Sequence, residues 1–492
     1  MRTITEFPSE TLEATAYPRI GHYIGGEWIY DRDPCAEILN PSTENVMGTV
    51  PNATDEDIER VLAAAEKGFH IWRDTPPRQR VDIILKAVAL MRERTTEIAA
   101  ILSLENGKTK AQGIGEVTRS IDFYEWEAGQ ALRAYGTIVP AENGFQKMLV
   151  RQPIGPVIAL TPWNVPMSAI ARKSSAALAA GCSVIAKPAQ ETPGTAIAIV
   201  KCFEDAGLPP GVFNLIYGPS ARISSALIAS PVTRLVTFTG STPIGKILME
   251  QAGRAMIPVL MELGGNAPVI VCDDVDAANV GRLSAEAKSR GAGQICASVS
   301  RFIVHRDCYD SFVSAFADTL NGIKVGDMFA DGVQMGPVTN ARRLASTQHM
   351  VEDARKRGAT VAAGGYRIGE RGYFHAPTLL ADIPLDAEAM AEEPFAPIAA
   401  CVPFSTLDEA LSIANSVSVG LASYAFTNSL ANAEEIGRRL ENGVVSINHF
   451  DTPHADTPFG GVKDTGIGRE GGPFSLDAYL QTKTILLNSA RV

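Results

Sequence analysis

The sequence predicts an α/β protein of two or three domains built on parallel sheets, and three observations carry that reading. Short apolar runs at 157–160, 183–186, 212–216 and 235–238 recur with helical stretches between them. Strands alternating with helices form βαβ units around a parallel sheet. A second α/β block opens at 267–272 and continues past residue 440. Finally, 492 residues are too many for one hydrophobic core.

In chain order, residues 22–30 form a short hairpin turning on Gly25 and Gly26. Thr54 with Asp57 makes a capping-box start, and Ile58, Val61, Leu62 and Ala65 follow at helical spacing. A second long helix runs from about Arg78 into the hundreds, with Ile84, Val88 and Met91 on one face. These elements are structural, and nothing in the first 120 residues suggests chemistry. The segment 135–151 alternates loosely around Pro140, Asn143 and Gly144, as a protruding hairpin does. Residues 480–487 read as a terminal strand, which needs a partner.

A net charge of −11 disfavours nucleic acid and anionic membranes as partners, because both need concentrated Lys and Arg. Seven scattered cysteines without a CxxC pair argue against a disulfide framework and for a reducing compartment. The seven histidines include no HExxH arrangement, so no metal is expected. Residues 1–8 contain no apolar signal core, and no apolar run has the length of a membrane span. The expectation is a soluble, cytoplasmic protein.

Several chemical candidates fall beside predicted strands, and the first follows a predicted helix. Cys296 sits between a glycine-rich approach (Gly291, Gly293) and Ser298, after a helix ending in Lys288 and Arg290. Small residues permit close approach, and flanking cations or free N–H groups can lower a thiol's pKa. A buried packing cysteine fits the same pattern. Asn164, between Pro162 and Pro166 and just past the 157–160 run, suits an oxyanion hole, although a turn asparagine bonded to its own backbone fits equally. Lys187 follows the next strand in the same way, where it could hold a ribose or phosphate. Residues 238–245 (FTGSTPIG) make a helix N-terminus with a glycine turn, capping residues and a proline at the first helical position, which attracts phosphate. Glu262 lies in an apolar stretch beside two glycines, as a general base or a salt-bridged structural carboxylate would.

The ordered set TPWNVP, KPAQ, FTGSTPIG, MELGGN, GQICAS, EEPFAP and PFGGVK followed by GREGG resembles the aldehyde dehydrogenase superfamily over essentially the whole chain. It is most similar to the succinate-semialdehyde and α-ketoglutaric-semialdehyde branch. The resemblance implies a Rossmann-type cofactor domain (1–131 and 151–262) and an α/β catalytic domain (263–450). It also implies a small β oligomerisation element (132–150 and 473–492) in a homodimer or homotetramer. Cys296 would be the nucleophile, Glu262 the base, and Asn164 with the Cys296 N–H the oxyanion hole. Lys173 and Glu470 match residues of a hydrogen-bonded water network. For NADP or NAD, Trp163, Lys187, Gln190, Gly240, Ser241, Leu263, Glu393 and Phe395 match cofactor positions. The implied reaction turns an aldehyde into an acid through a cysteine thiohemiacetal and thioester.

Two departures bear on specificity. NAD-preferring relatives commonly carry an acidic residue where Gln190 stands, so NADP use is expected, with Lys187 as phosphate partner. Arg172 and Arg290 match positions that clasp a substrate carboxylate in succinate-semialdehyde dehydrogenases, though surface or interdomain salt bridging would suit them too. Ser298 replaces a second cysteine found in many of those enzymes, which removes their CxC switch. His449 and Phe450, at the expected substrate mouth, leave an aromatic or uncharged aldehyde open. A CoA-acylating enzyme and a non-catalytic binding protein are the competing classes. Glu262 argues against the first, and Cys296, Glu262 and Asn164 together against the second.

Overall fold

The computed structural model describes residue 4 and residues 6–488, so 489–492 of the expected terminal segment fall outside the described residues. Eight strands form the first sheet. Their order is Glu27–Ile29, His22–Ile24, Phe213–Leu215, Val184–Lys187, Val157–Leu160, Leu235–Thr239, Val259–Glu262 and Gly466–Ile467. The five central strands are parallel. Their chain order reverses between Val157–Leu160 and Leu235–Thr239, which opens a crevice beyond the carboxyl ends of those strands.

These strands read as continuous apolar runs because helices cover both faces of the sheet. Val157, Ala159, Val184 and Ala186 face one cluster with residues of the helices Pro77–Glu93, Lys110–Ala131 and Pro166–Ala180. Ile158, Leu160, Ile185 and Val236 face the other, with Ile58 and Val61 of the capped helix Asp55–Asp74 and Leu248 of Thr242–Arg254. The period-2 alternation of a strand makes this division.

Only residues 263–266 separate Val259–Glu262 from Ala267–Val271, the first strand of a seven-stranded sheet. All neighbours in that sheet are parallel except Thr360–Ala363. The short link sets the carboxyl edge of the first sheet against the amino edge of the second. A third, antiparallel sheet joins Thr137–Val139, Phe145–Pro153 and Leu480–Asn488, so the terminal strand finds its partner within the chain. One expectation is corrected. The long second helix is two, Pro77–Glu93 and Thr95–Asn106, broken at Arg94, whose ψ of 12° departs from helical geometry.

Candidate active site

Cys296 lies between the helix Ala277–Ser289 and the strand Val299–His305. A short 3₁₀ turn, Arg290–Gly293, leads into it, with Ala292 in the left-handed region at φ 52°. Such a conformation costs a non-glycine residue roughly 1–3 kcal/mol and persists only where the surroundings enforce it. Here they do. A Cβ on Gly265 would stand 2.7 Å from the Cys296 carbonyl oxygen, so only glycine admits the cysteine loop. Tyr424 donates to the Ala297 carbonyl at 2.8 Å and pins the far side.

The expected cationic flank is not where the sequence suggests. Lys288 is wholly buried and turns its Nζ to the Ser298 and Ser300 hydroxyls at 3.4 and 3.5 Å, while Arg290 is exposed. The Cys296 thiol is instead pushed up to about 12, first by burial, then by the Glu393 and Glu262 carboxylates; Arg172 and the Ala297 N–H act in the opposite direction.

Asn164 is buried and donates to the Gln294 carbonyl at 3.0 Å, tying its loop to the cysteine loop. An amide NH2 carries two hydrogens, so one is left for an oxyanion. Asn106 donates to the Trp163 carbonyl at 2.8 Å, and Lys108 donates to the Asn164 carbonyl at 2.6 Å. Lys108 pairs with Glu116, which accepts the N–H groups of Met167 and Ser168 at 3.1 and 3.2 Å. Those groups open the helix Pro166–Ala180, whose own N-cap, Val165, makes no side-chain bond. The reading that the first 120 residues hold no part of the site is therefore corrected. Asn106 and Lys108 flank Gly107, a left-handed helix C-cap, and the C-cap pattern hides their contact with the loop past a strand, 57 and 56 residues on.

Glu262 ends a buried strand, and neither carboxylate oxygen has a hydrogen-bond partner in the protein. Burial, reinforced by Glu470, holds its carboxyl well above the usual range; Lys173, Arg172 and Arg469 oppose this. Lys173 and Glu470 form a buried ion pair at 2.7 Å beside it. Arg172 lies between the rings of Phe123 and Phe459, at 4.1 and 4.7 Å, within electrostatic reach of Glu262, Glu470 and Cys296. Its Nη1 is buried without a partner. Arg290 reaches Tyr424 electrostatically, as Cys296 does. Phe450 packs on Tyr424 and Phe426 at 5.4 and 4.8 Å, which leaves its ring partly buried in the second sheet's core.

A cleft of ≈ 960 Å³ runs from Cys296 to the crevice of the first sheet, lined by Trp163, Lys187, Gln190, Gly240, Ser241, Leu263, Glu393 and Phe395. All eight expected cofactor residues thus border one cavity. Ser241 is the N-cap of the helix Thr242–Arg254 but makes no capping bond, and Pro243 is the second helical residue, one later than expected. The N–H groups of that first turn remain available to a pyrophosphate, which is where a dinucleotide fits this crevice. Lys187 donates to Ser220 Oγ at 2.7 Å, and burial brings its pKa down to about 8. Gln190 donates to the Gly218 carbonyl at 3.3 Å. Trp163 and Phe395 meet edge-on at 5.5 Å near the cysteine end.

The aldehyde dehydrogenase family model matches residues 28–485. The chain belongs to that family. It is 44% identical over 462 residues to 4-(hydroxymethyl)benzenesulfonate dehydrogenase of Comamonas testosteroni, covering 94% of this chain and 96% of that one. It is 35% identical to the NADP(+) succinate-semialdehyde dehydrogenase of Escherichia coli, with the same coverage. The structure of succinate-semialdehyde dehydrogenase from Burkholderia pseudomallei superposes with a TM-score of 0.93 at 34% identity, covering 98% and 100% of the two chains. This chain is an NAD(P)-dependent aldehyde dehydrogenase. Among the described residues no helix is long and apolar enough to cross a membrane.

Two further residues of this aldehyde dehydrogenase bear on its charged groups: Glu191, which motif reading misses, and Lys288, which the sequence offers only as a cation flanking Cys296. Glu191 lines the cleft beside Gln190, and its charge acts on Lys187. Lys288, brought down to about 7 by burial, is within electrostatic reach of Glu393, whose carboxyl burial pushes up to about 8.

Proposed function

We propose that this aldehyde dehydrogenase oxidises an aldehyde bearing a carboxylate or sulfonate, with Arg172 as the anion's partner and Arg290 at the mouth. The supporting observation is the Arg172 guanidinium itself, clasped between Phe123 and Phe459 with Nη1 buried and unpaired. An unsatisfied buried donor costs about 1–3 kcal/mol, more when charged. An anion relieves that cost through two parallel N–H···O bonds. The names of the two relatives, a benzenesulfonate and a succinate-semialdehyde dehydrogenase, both specify an anion, which widens the acid-semialdehyde expectation to include a sulfonated aromatic one. A neutral aromatic aldehyde fits less well, because the guanidinium already occupies the faces of both rings.

In this reading Cys296 attacks the aldehyde carbon, and the O⁻ that forms is held by Asn164 and the Cys296 N–H. When bound, the nicotinamide supplies the hydride acceptor. Glu262, with both oxygens free, takes the proton from the water that cleaves the thioester, and this favours hydrolysis over acyl transfer to CoA. The Lys173–Glu470 pair is the adjoining polar pathway for that proton. Neutral Gln190 tolerates the 2′-phosphate of NADP. The large exposed apolar residues Ile138 and Leu486 of the third sheet support a homodimer or homotetramer.

The experiment is a kinetic panel of succinate semialdehyde, 4-sulfobenzaldehyde, benzaldehyde and butanal with NAD and NADP. Arg172→Ala is expected to raise KM for the two anionic aldehydes and leave KM for the neutral pair within about twofold. Equal effects on both pairs would overturn the reading.

A further inference from the structure

On the helix Lys110–Ala131, Phe123 and Glu127 lie one turn apart on the same face. Phe123 covers Arg172, and Glu127, also buried, accepts a hydrogen bond from Ser475 Oγ at 2.5 Å. Its carboxyl is within electrostatic reach of Arg172 and Glu470. Among the described residues no ion pair joins it, or any other carboxylate, to Arg172. No step of the reaction uses Glu127.

We propose that Glu127 is a specificity-determining residue that sets how much of the Arg172 charge is available to the substrate's anion. The proposal rests on the reading that Arg172 binds an anion. A neutral Glu127 leaves the guanidinium to the substrate. An ionised Glu127 competes for it and sets a second negative charge beside the incoming one.

Burial favours the neutral form and pushes the Glu127 carboxyl up to about 8, with Glu470 reinforcing it and the Ser475 bond and Arg172 opposing. Glu262, also raised by burial and within electrostatic reach of Arg172, adds to the same dependence, and Glu127→Gln isolates the part that belongs to Glu127. Lys173 is paired with Glu470, and Glu262 and Cys296 act on Arg172 from the catalytic side. Arg119, on the same helix as Glu127, adds positive charge, and the Tyr479 phenol is held far above its ordinary value by burial. By linkage, an anion that binds best to the neutral form makes Glu127 harder to ionise, so anion binding near pH 8 takes up a proton.

The test is calorimetric titration of the whole enzyme with succinate and with 4-sulfobenzoate from about pH 7 to pH 9, in buffers of different ionisation heat. The parent enzyme is expected to lose about tenfold in affinity across that range, the effect of one pKa unit of linkage, and to take up a proton near its midpoint. Glu127→Gln should bind with less proton uptake and a shallower pH profile than the parent. Ser475→Ala, which removes a bond favouring the ionised form, should move the fall to higher pH. Parent-like pH dependence and proton uptake in Glu127→Gln would overturn the proposal while leaving Arg172 as the anion's partner. Should Arg172→Ala bind both anions as the parent does, or neither anion bind the parent, the anion reading itself falls and this proposal with it.

Discussion

Asn164→Ala separates the chemical step from the architecture around it. In the resting protein the side chain makes one bond, to the Gln294 carbonyl at 3.0 Å. Losing that bond costs about 1 kcal/mol of stability. The backbone of the loop stays anchored by Asn106 and Lys108, which bond the Trp163 and Asn164 carbonyls rather than the lost amide. The variant should therefore fold with Cys296 in place. What it lacks is the second amide hydrogen, one preorganised donor to the oxyanion. Such a donor contributes about 2.7–4 kcal/mol to the transition state, or roughly 10²–10³ in kcat. The assay is steady-state turnover of one anionic and one neutral aldehyde, with the rate of Cys296 alkylation by iodoacetamide measured on the same preparation. Turnover should fall by roughly 10²–10³ for both aldehydes, while alkylation stays near the parent rate. Asn164→Asp, which cannot donate and sets a carboxylate against the Gln294 carbonyl, should be slower still. A loss of less than about tenfold in Asn164→Ala would refute the oxyanion role. A parallel fall in alkylation would mean that Asn164 serves to position the thiol.

Gln190→Glu, which adds a carboxylate facing a 2′-phosphate, should lower kcat/KM with NADP at least about tenfold relative to NAD, a difference of 1.4 kcal/mol; an unchanged ratio would place cofactor choice elsewhere, with Glu191 the nearest alternative. Glu393→Gln removes the largest single charge that raises the Cys296 pKa, so alkylation of the resting enzyme near pH 8 should accelerate; a slower or equal rate contradicts the electrostatic account. His22 and His375 are buried, and burial brings both down from 6.5 to about 4. The unfolded chain binds more protons in that window, so stability is complete above pH 6.5 and falls toward pH 4, by roughly 3 kcal/mol for each histidine. Urea unfolding at the two ends of the window should show a smaller loss in His22→Asn than in the parent; an equal loss would exclude His22 as a source.

The sequence discloses the parallel strands because they are buried on both faces, and their apolar runs match the structure within a residue or so. It discloses Glu262 and Asn164 at or just past strand ends, and Cys296 in the loop after a helix, because glycines or prolines beside each announce a turn. The break at Arg94 is not legible, since Met91, Ile98 and Leu102 carry an apolar helical spacing across it. Nor is the strand order, which depends on which helix crosses which face. Least legible are Lys108, Glu116 and Glu127, and the burial and partners of Lys288, all single charged residues within helices or beside caps. Their meaning comes from distant partners, as with Ser475, 348 residues from Glu127.

Those four residues share a physical logic with the catalytic ones. Around Cys296 the charged groups are largely buried, and they fall into two kinds. Some are neutralised in pairs, as Lys108 is by Glu116 and Lys173 by Glu470, and these hold the backbone of the oxyanion loop or stand beside the base. Others are left unpaired, and burial pushes each toward its neutral form: the Cys296 thiol, the Glu262 and Glu393 carboxyls, and the Lys288 amine. Ionising any one of these acids makes the next harder to ionise, because Glu393 and Glu262 both raise the thiol. Burial and the neighbouring carboxylates thus favour the protonated form of the Cys296 thiol and of the Glu262 carboxyl. Arg172 is the exception, a cation that burial disfavours but cannot neutralise. It is held between two aromatic faces and is short of one hydrogen-bond partner, and that deficit is what supports its proposed role as the anion's partner.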